Sequence, residues 1–452
     1  MEYTFKQCEL IYSDEDILRV KARAGTGKTT FLQAFTSERP MNTFLYLSYN
    51  KGIKDSSRKK FGQNTEVHTI SSLAYKHIGK ELKHKITENL KTQDILMYLN
   101  LDRNNQDDHL KAISVKEVLT YFFNSDEEKI IFMDEDIRNL AEKIFKDMLD
   151  PKKDLIKVTH EAYTKQFELL KLDLKYDYVL VDEAQDINKV SKSIIDAQSS
   201  KKIFVGDDFQ SIYGYRETVS LLDNAEHTLN ETFRFGENIS NFVTKYIHTF
   251  LDKEEEIISF KKKDSLNLKS DRYTLVTRTN AYLFDKAVEL VQMNKQIHIV
   301  GSSIVFNELL DGMHLYNGDL YKIKNPYIKG FYSFDKMKKM VEKTKDQELK
   351  FLVKIIEKYK SNIEFFIKKI EHNSVKDRYA EIILTTTHKS KGLEFFNVKI
   401  GNDFTKLFDD NGKLIRNIER EELNIYYVAI TRAMENLILN DDLNRLLDWF
   451  SI

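Results

Sequence analysis

The chain has 452 residues, 41% of them hydrophobic and 31% charged, with a net charge of −1. That length holds about two to four cored domains, and that balance excludes a disordered chain. A single cysteine, Cys8, excludes an internal disulfide and any multi-thiolate metal centre.

No apolar run reaches the length of a membrane helix, and the opening "MEYTFKQCEL" lacks the shape of a signal peptide, so no membrane partner is expected. The default location is the cytoplasm, or the nucleoid. With near-zero net charge, any nucleic-acid binding has to come from a local basic groove.

In chain order, strand-like runs occur at "DILRVKA" (16–22), "NTFLYLSY" (42–49), "YDYVLVDE" (176–183) and "KKIFVGDD" (201–208). A second set follows at "RYTLVTRT" (272–279), "QIHIVG" (296–301), "EIILTTTH" (381–388), "NVKIGND" (397–403) and "NLILN" (436–440). Helical patterns separate them, which predicts α/β layers with parallel sheets. From Glu81 to Asp150 the chain is lysine-rich and helical, broken at "LDRNNQDD" (101–108), and Pro151 marks a return to the first sheet. Within 307–375, Leu352, Ile355, Ile356, Tyr359, Ile363, Phe366, Ile367 and Ile370 recur near helical spacing, so one face is buried. The expected organisation is a first core from 1–80 and 151–225 with a helical insertion at 81–150. A second core from 226–306 and 376–452 carries a short helical insertion at 307–375.

"AGTGKTT" (24–30) follows a predicted strand and opens a predicted helix. Gly25 and Gly27, with Thr26 between them, let backbone N–H groups close around phosphate oxygens at a helix N-terminus. Lys28 is expected to reach the β- and γ-phosphates of ATP, the Thr29 hydroxyl to ligate magnesium, and Thr30 to complete the loop. A glycine turn that merely carries a lysine is the bland reading; the order strand, loop, helix argues against it. At "VLVDEAQD" (179–186) a buried run ends in three carboxylates. Beside a nucleotide, Asp182 suits magnesium and Glu183 suits the attacking water. Without Lys28, the same acids would read as a solvated helix N-terminus.

With both motifs in place, "DEAQD" and its surroundings resemble the superfamily 1 helicases of the UvrD/Rep/PcrA type. The likeness continues in order through "FKQCEL" (5–10), "YLSYNKGIKDSSRKKF" (46–61), "EVHTISSLAYKHIG" (66–79) and "FVGDDFQSIYGYR" (204–216). It ends with "LNETFRFGENI" (229–239), "LVTRTN" (275–280), "TTHKSKGLEFFNV" (386–398) and "EELNIYYVAITRAMENLIL" (421–439). Details of 49–79 are most similar to the F-box DNA helicase branch, with no F-box segment within the chain. The resemblance implies two RecA-like P-loop cores, each interrupted by a mainly helical insertion. It implies that Gln7 reads the adenine edge, that Gln210 contacts the γ-phosphate, and that Arg234 and Arg432 act as arginine fingers from the second core. It also implies that Phe233 stacks on the base and that Glu394 holds the ribose or neighbouring contacts. The implied activity is ATP-dependent movement along single-stranded DNA, 3′-to-5′, engaging single/double-strand junctions in repair, recombination or defence against foreign DNA.

A single-strand groove combines cations with aromatic platforms. Tyr49, Lys51, Tyr213 and Tyr215 sit where the family faces DNA, and Lys54, Arg58 and Lys76 are further phosphate-contact candidates. His68 and His388 read as structural hydrogen-bonders. Departures from the family pattern are Ser71 in place of a usual histidine, "YRET" (215–218) after Gly214, and a second insertion of about seventy residues. The short insertion keeps open a different class of function: a DNA-stimulated ATPase switch that recruits or regulates a nuclease partner without unwinding. An RNA-directed motor has no sequence signal for or against it.

Overall fold

The computed structural model describes residues 3–48, 58–214, 218–261, 263–301, 303–344 and 347–451. Tyr49, Lys51, Lys54 and Tyr215 fall outside the described residues.

Two six-stranded sheets form the frame. The first joins β1 (Ile17–Ala22), β2 (Phe44–Ser48), β3 (Thr65–Thr69), β4 (Tyr178–Asp182), β5 (Lys201–Gly206) and β6 (His227–Leu229). Its order is β6-β1-β5-β4-β2-β3, with every neighbouring pair parallel. β2 and β4 are buried along their whole length. Unbroken apolar runs suit strands covered by helices on both faces, which is what parallel crossovers produce. Register brings the functional loops together: Lys21 lies opposite Gly206, and Val205 lies opposite Asp182. The segments after β1, β5 and β4 therefore leave the sheet side by side at its carboxyl edge, where α/β sheets bind ligands.

After β6 the chain forms a two-stranded parallel ribbon of β7 (Glu231–Gly236) and β8 (Ile258–Lys261). The second sheet follows from β9 (Ser265–Leu266), β10 (Tyr273–Thr277), β11 (Ile297–Ile299), β12 (Ile382–Thr386), β13 (Phe395–Ile400) and β14 (Ala433–Ile438). Its order is β9-β14-β13-β10-β12-β11, again parallel throughout. The ribbon ties the halves together, since Phe233 N donates to the Gly25 carbonyl at 2.9 Å and Thr232 Oγ1 to the Ala24 carbonyl at 2.7 Å.

Helices Gln106–Asn124 and Glu135–Leu149 rise between β3 and β4. Asn105 and Asp134 cap them through side-chain oxygens, and acids fill both first turns, which satisfies the otherwise unpaired N–H groups and the helix dipole. A second helical group lies between β11 and β12. There, helices Gln347–Tyr359 and Ile363–Asn373 are separated by a turn in which Lys360 has φ +51°. The apolar spacing runs on across this turn, burying Leu352, Ile355, Ile356, Ile363, Ile367 and Ile370. The two helical groups touch. His109 packs beside Tyr327 and Phe331, Asn104 Nδ2 donates to the Gly330 carbonyl at 3.0 Å, and Lys91 pairs with Glu308 at 2.5 Å. Among the described residues, no helix is long and apolar enough to cross a membrane.

Candidate active site

The loop between β1 and the helix Lys28–Ser37 turns through Gly25 (φ +76°) and Gly27 (φ +77°). Both angles lie in the left-handed region that glycine enters without a Cβ penalty. At Gly25 a Cβ would also sit 2.4 Å from Arg234 Cβ and from Thr232 Oγ1, so glycine is what lets the ribbon approach. Thr26 Oγ1 donates to the Arg23 carbonyl at 2.8 Å, and Lys28 Nζ reaches the Ala22 carbonyl at 3.2 Å. Gln7 is buried behind the loop. Its Nε2 donates to the Thr26 carbonyl at 3.0 Å, and its Oε1 accepts Thr4 N at 3.0 Å within a capping box. One amide proton and one lone pair of Gln7 remain for a base.

Across the edge, Asp182 and Glu183 are both buried. Tyr46 donates its hydroxyl to Asp182 Oδ2 at 2.6 Å. Burial, with Glu183 beside it, pushes the Asp182 carboxyl up. Burial acts the same way on Glu183, but Lys28, Lys391, the Gln185 amide and Arg432 outweigh it and hold that carboxyl below its usual range. Gln185 Nε2 donates to Glu183 Oε2 at 2.6 Å, while Gln185 Oε1 accepts Asp207 N at 3.0 Å. The cations on its side hold Glu183 ionised, while burial disfavours the charged form of Asp182. Asp186 is pushed up to about 7, chiefly by burial, although Lys391 is hydrogen-bonded to it. Lys391 also donates to the Gln210 carbonyl at 2.5 Å.

Gln210 stands at the junction. Its Nε2 donates to Asp207 Oδ2 at 2.8 Å, and its Oε1 accepts Arg432 Nη2 at 3.1 Å. Arg432, 1% exposed, is further held by the Val428 and Leu393 carbonyls at 3.0 and 3.1 Å. Burial, then the nearby Arg234, pushes its guanidinium below the ordinary value. Two cations crowded in a dry cleft form a place that an anion would relieve. Arg234 donates from Nε to Glu394 Oε2 at 3.1 Å and from Nη1 to the Thr431 carbonyl at 2.9 Å. Phe233 is half exposed and stacks on Phe260, centroids 5.2 Å apart and planes 11° apart. One face of Phe233 is covered by that ring.

Contacts and charge–charge effects link Gln7, Lys28, Asp182, Glu183, Gln210, Phe233, Arg234, Glu394 and Arg432 into one neighbourhood. The strand candidates are less uniform. Tyr213 donates its hydroxyl to the His388 carbonyl at 3.4 Å, and its ring lies 5.1 Å from Lys391 Nζ, which places it at the seam between the halves. Lys76 pairs with Glu66 at 3.0 Å, and Arg58 is exposed. His68 bonds Ser72 and Glu66, and His388 Nε2 donates to the Ile212 carbonyl at 3.2 Å. A groove of about 490 Å³ runs past Thr69, Ser71, Ser72, Tyr75 and Asn188 and opens onto Asp182 and Asp186.

Four site residues escaped the sequence reading. Lys391, Asp207 and Tyr427 lie inside the quoted segments "TTHKSKGLEFFNV", "FVGDDFQSIYGYR" and "NIYYVAITR", where their chemistry was available. Tyr427 donates to Asp207 Oδ2 at 2.9 Å. Arg23, flanked by two alanines, is in sequence one more charge after Arg19 and Lys21, with nothing to mark it as buried.

Residues 48–230 match the family model of the UvrD/REP helicase N-terminal domain. The chain is 29% identical, over an alignment of 495 positions, to F-box DNA helicase 1 of Gallus gallus, covering 95% of this chain and 48% of that protein. It is 30% identical over 509 positions to F-box DNA helicase protein 1 of Schizosaccharomyces pombe, covering 97% and 57%. A more distant relative is an ATP-dependent helicase/nuclease subunit of Lactobacillus johnsonii, 25% identical over 46% of this chain and 20% of that one. The chain spans about half the length of the first two relatives.

Proposed function

We propose that this chain, a member of the UvrD-like superfamily 1 helicase family, hydrolyses ATP and uses the cycle to move 3′-to-5′ along single-stranded DNA. It would work on single/double-strand junctions, in the cytoplasm or on the nucleoid, in repair, recombination or defence. The observation that carries the reading is the meeting of Arg432 with Gln210, within the electrostatic reach of Glu183, which in turn faces Lys28 and Asp182.

In this reading Lys28 and the loop amides hold the β- and γ-phosphates, while Phe233 and Gln7 receive the base. Magnesium supplies charge neutralisation at the β- and γ-phosphate oxygens when bound, and Thr29 and Asp182 would hold it. Among the described residues no group of three or more His, Cys, Asp or Glu side chains is arranged for a metal. One carboxylate and one hydroxyl, completed by phosphate oxygens, fit the demands of magnesium. Glu183, ionised and held by Gln185, orients the attacking water and accepts its proton. Arg432 and Arg234 approach the terminal phosphate from the opposite side, where positive charge opposes the charge that develops in transfer. Gln210 reports the γ-phosphate, and its carbonyl passes that state to Lys391 and thence to the seam at Tyr213 and His388. The cleft is complete only when the halves close, so binding and release alternate their spacing.

The test is ATP turnover with and without single-stranded DNA or RNA, together with strand separation on duplexes carrying opposite tails. Stimulation by single-stranded DNA and separation of 3′-tailed duplexes support the proposal; no turnover with any polynucleotide contradicts it. A second reading, a switch that regulates a nuclease, draws on the distant likeness to a helicase/nuclease protein. Stimulated turnover without separation would favour it.

A further inference from the structure

Arg23 is 1% exposed, directly follows β1 and sits among acids. Its Nη1 is 2.9 Å from Asp207 Oδ1 and also hydrogen-bonds Asp208. Its Nε donates to Glu255 Oε2 at 3.3 Å, and its Nη2 lies 2.9 Å from Glu255 Oε1. The guanidinium carbon lies over the Phe209 ring, 3.8 Å from its centroid, and that ring also has Arg420 at 5.3 Å. A buried arginine that only balanced charge would need one acid. This one draws carboxylates from two segments, and each neighbour leads onward. Asp207 holds Nε2 of Gln210, Gln210 Oε1 receives Arg432, and Tyr427 closes on the same Asp207 oxygen. From Glu255 to Arg432 the bonds form an unbroken chain across the cleft.

The geometry points to Arg23 as a positioning residue for hydrolysis: by clamping Asp207 and Asp208 to Glu255, it aims the Gln210 amide at the terminal phosphate. This rests on the ATPase reading above. Arg23 acts through Asp207, which it contacts directly. A planar fork is needed, because an ammonium offers one point of charge and cannot span three carboxylates over an aromatic ring.

The experiment compares the full chain with Arg23→Ala, Arg23→Lys, Gln210→Ala and the Arg23→Ala/Gln210→Ala pair. It measures kcat and KM for ATP with single-stranded DNA, affinity for a fluorescent ATP analogue, and hydrogen exchange over 207–212. Arg23→Ala is expected to lower kcat about tenfold or more, with KM and analogue affinity within about threefold, because aim is lost and not the phosphate pocket. Arg23→Lys, which keeps the charge and serves if the alanine variant does not fold, is expected to lose about threefold or more. The pair should be no more than about twofold slower than Gln210→Ala alone, since both changes act on one group. Exchange over 207–212 should quicken about tenfold in Arg23→Ala, a readout independent of turnover. Wild-type kcat in folded variants, effects that multiply in the pair, or unchanged exchange would each overturn the role. An inactive wild-type chain would sink the ATPase reading, and the exchange measurement would still decide for or against Arg23.

Discussion

Arg432 Nη2 and Gln210 Oε1 meet at 3.1 Å, although 222 positions of sequence separate the two residues. The guanidinium approaches from the turn between the helix Arg420–Ile430 and β14 of the second sheet, and the amide from the turn that follows β5 of the first. Their contact joins the two halves of the chain. If a terminal phosphate binds there, as proposed above, neither half is expected to hydrolyse nucleotide alone, because spreading the halves withdraws the arginine.

The phosphate loop offers the simplest check. Lys28 is expected to be the cation on the β- and γ-phosphates, and its amine is held near by the Ala22 carbonyl at 3.2 Å. Lys28→Ala should reduce ATP turnover about a hundred-fold or more. A steady-state assay at saturating single-stranded DNA reads the effect; hydrolysis near the wild-type rate would exclude the loop as the phosphate site.

Phe233 tests the base site separately from the chemistry. Phe260 covers one of its faces at 5.2 Å, leaving the other for a purine. Phe233→Ala should raise KM for ATP about tenfold and leave kcat within about threefold, because stacking holds ground state and transition state alike. A large fall in kcat with constant KM would place Phe233 in the wrong role.

Asp186 makes stability depend on pH. Its folded value of about 7 lies above the ordinary 3.8, so the folded state favours the neutral acid. The stabilisation this provides is complete below the ordinary value and is lost as pH rises through the folded one. Thermal midpoints of the nucleotide-free chain should therefore fall between about pH 4 and pH 7, and Asp186→Asn, which cannot ionise, should flatten that slope. An identical slope in the variant would show that Asp186 does not titrate in this window.

Residue chemistry alone reaches the parts of the site whose partners are local, whereas Gln7, Gln210, Arg234 and Arg432 are reached only through the family resemblance. Gly25, Gly27, Lys28 and Thr29 sit within five positions, and Asp182 with Glu183 at the end of one buried strand. Chemistry made by long-range pairing was hidden: Arg23 meets Asp207 across 184 positions, and Lys391 meets Asp186 across 205. Residue type alone cannot tell a buried bridging lysine from the many solvated ones in a chain with 70 lysines and arginines. The alternation of strands and helices announced parallel sheets, because a parallel neighbour is reached only through a crossover, usually a helix. Strand order and the docking of the ribbon on Gly25 depend on tertiary packing, and no local pattern encodes them. The turn at Lys360 was masked for a related reason, since the apolar spacing continues across it while the backbone does not.

The most direct measurement is the rate of ATP hydrolysis by Arg432→Ala beside its affinity for a fluorescent ATP analogue, both with single-stranded DNA present. Affinity should stay within about threefold of wild type and turnover should fall about a hundred-fold or more, because this cation acts on the charge that develops in transfer. Wild-type turnover in a folded Arg432→Ala chain would contradict a nucleotide held between two cooperating halves.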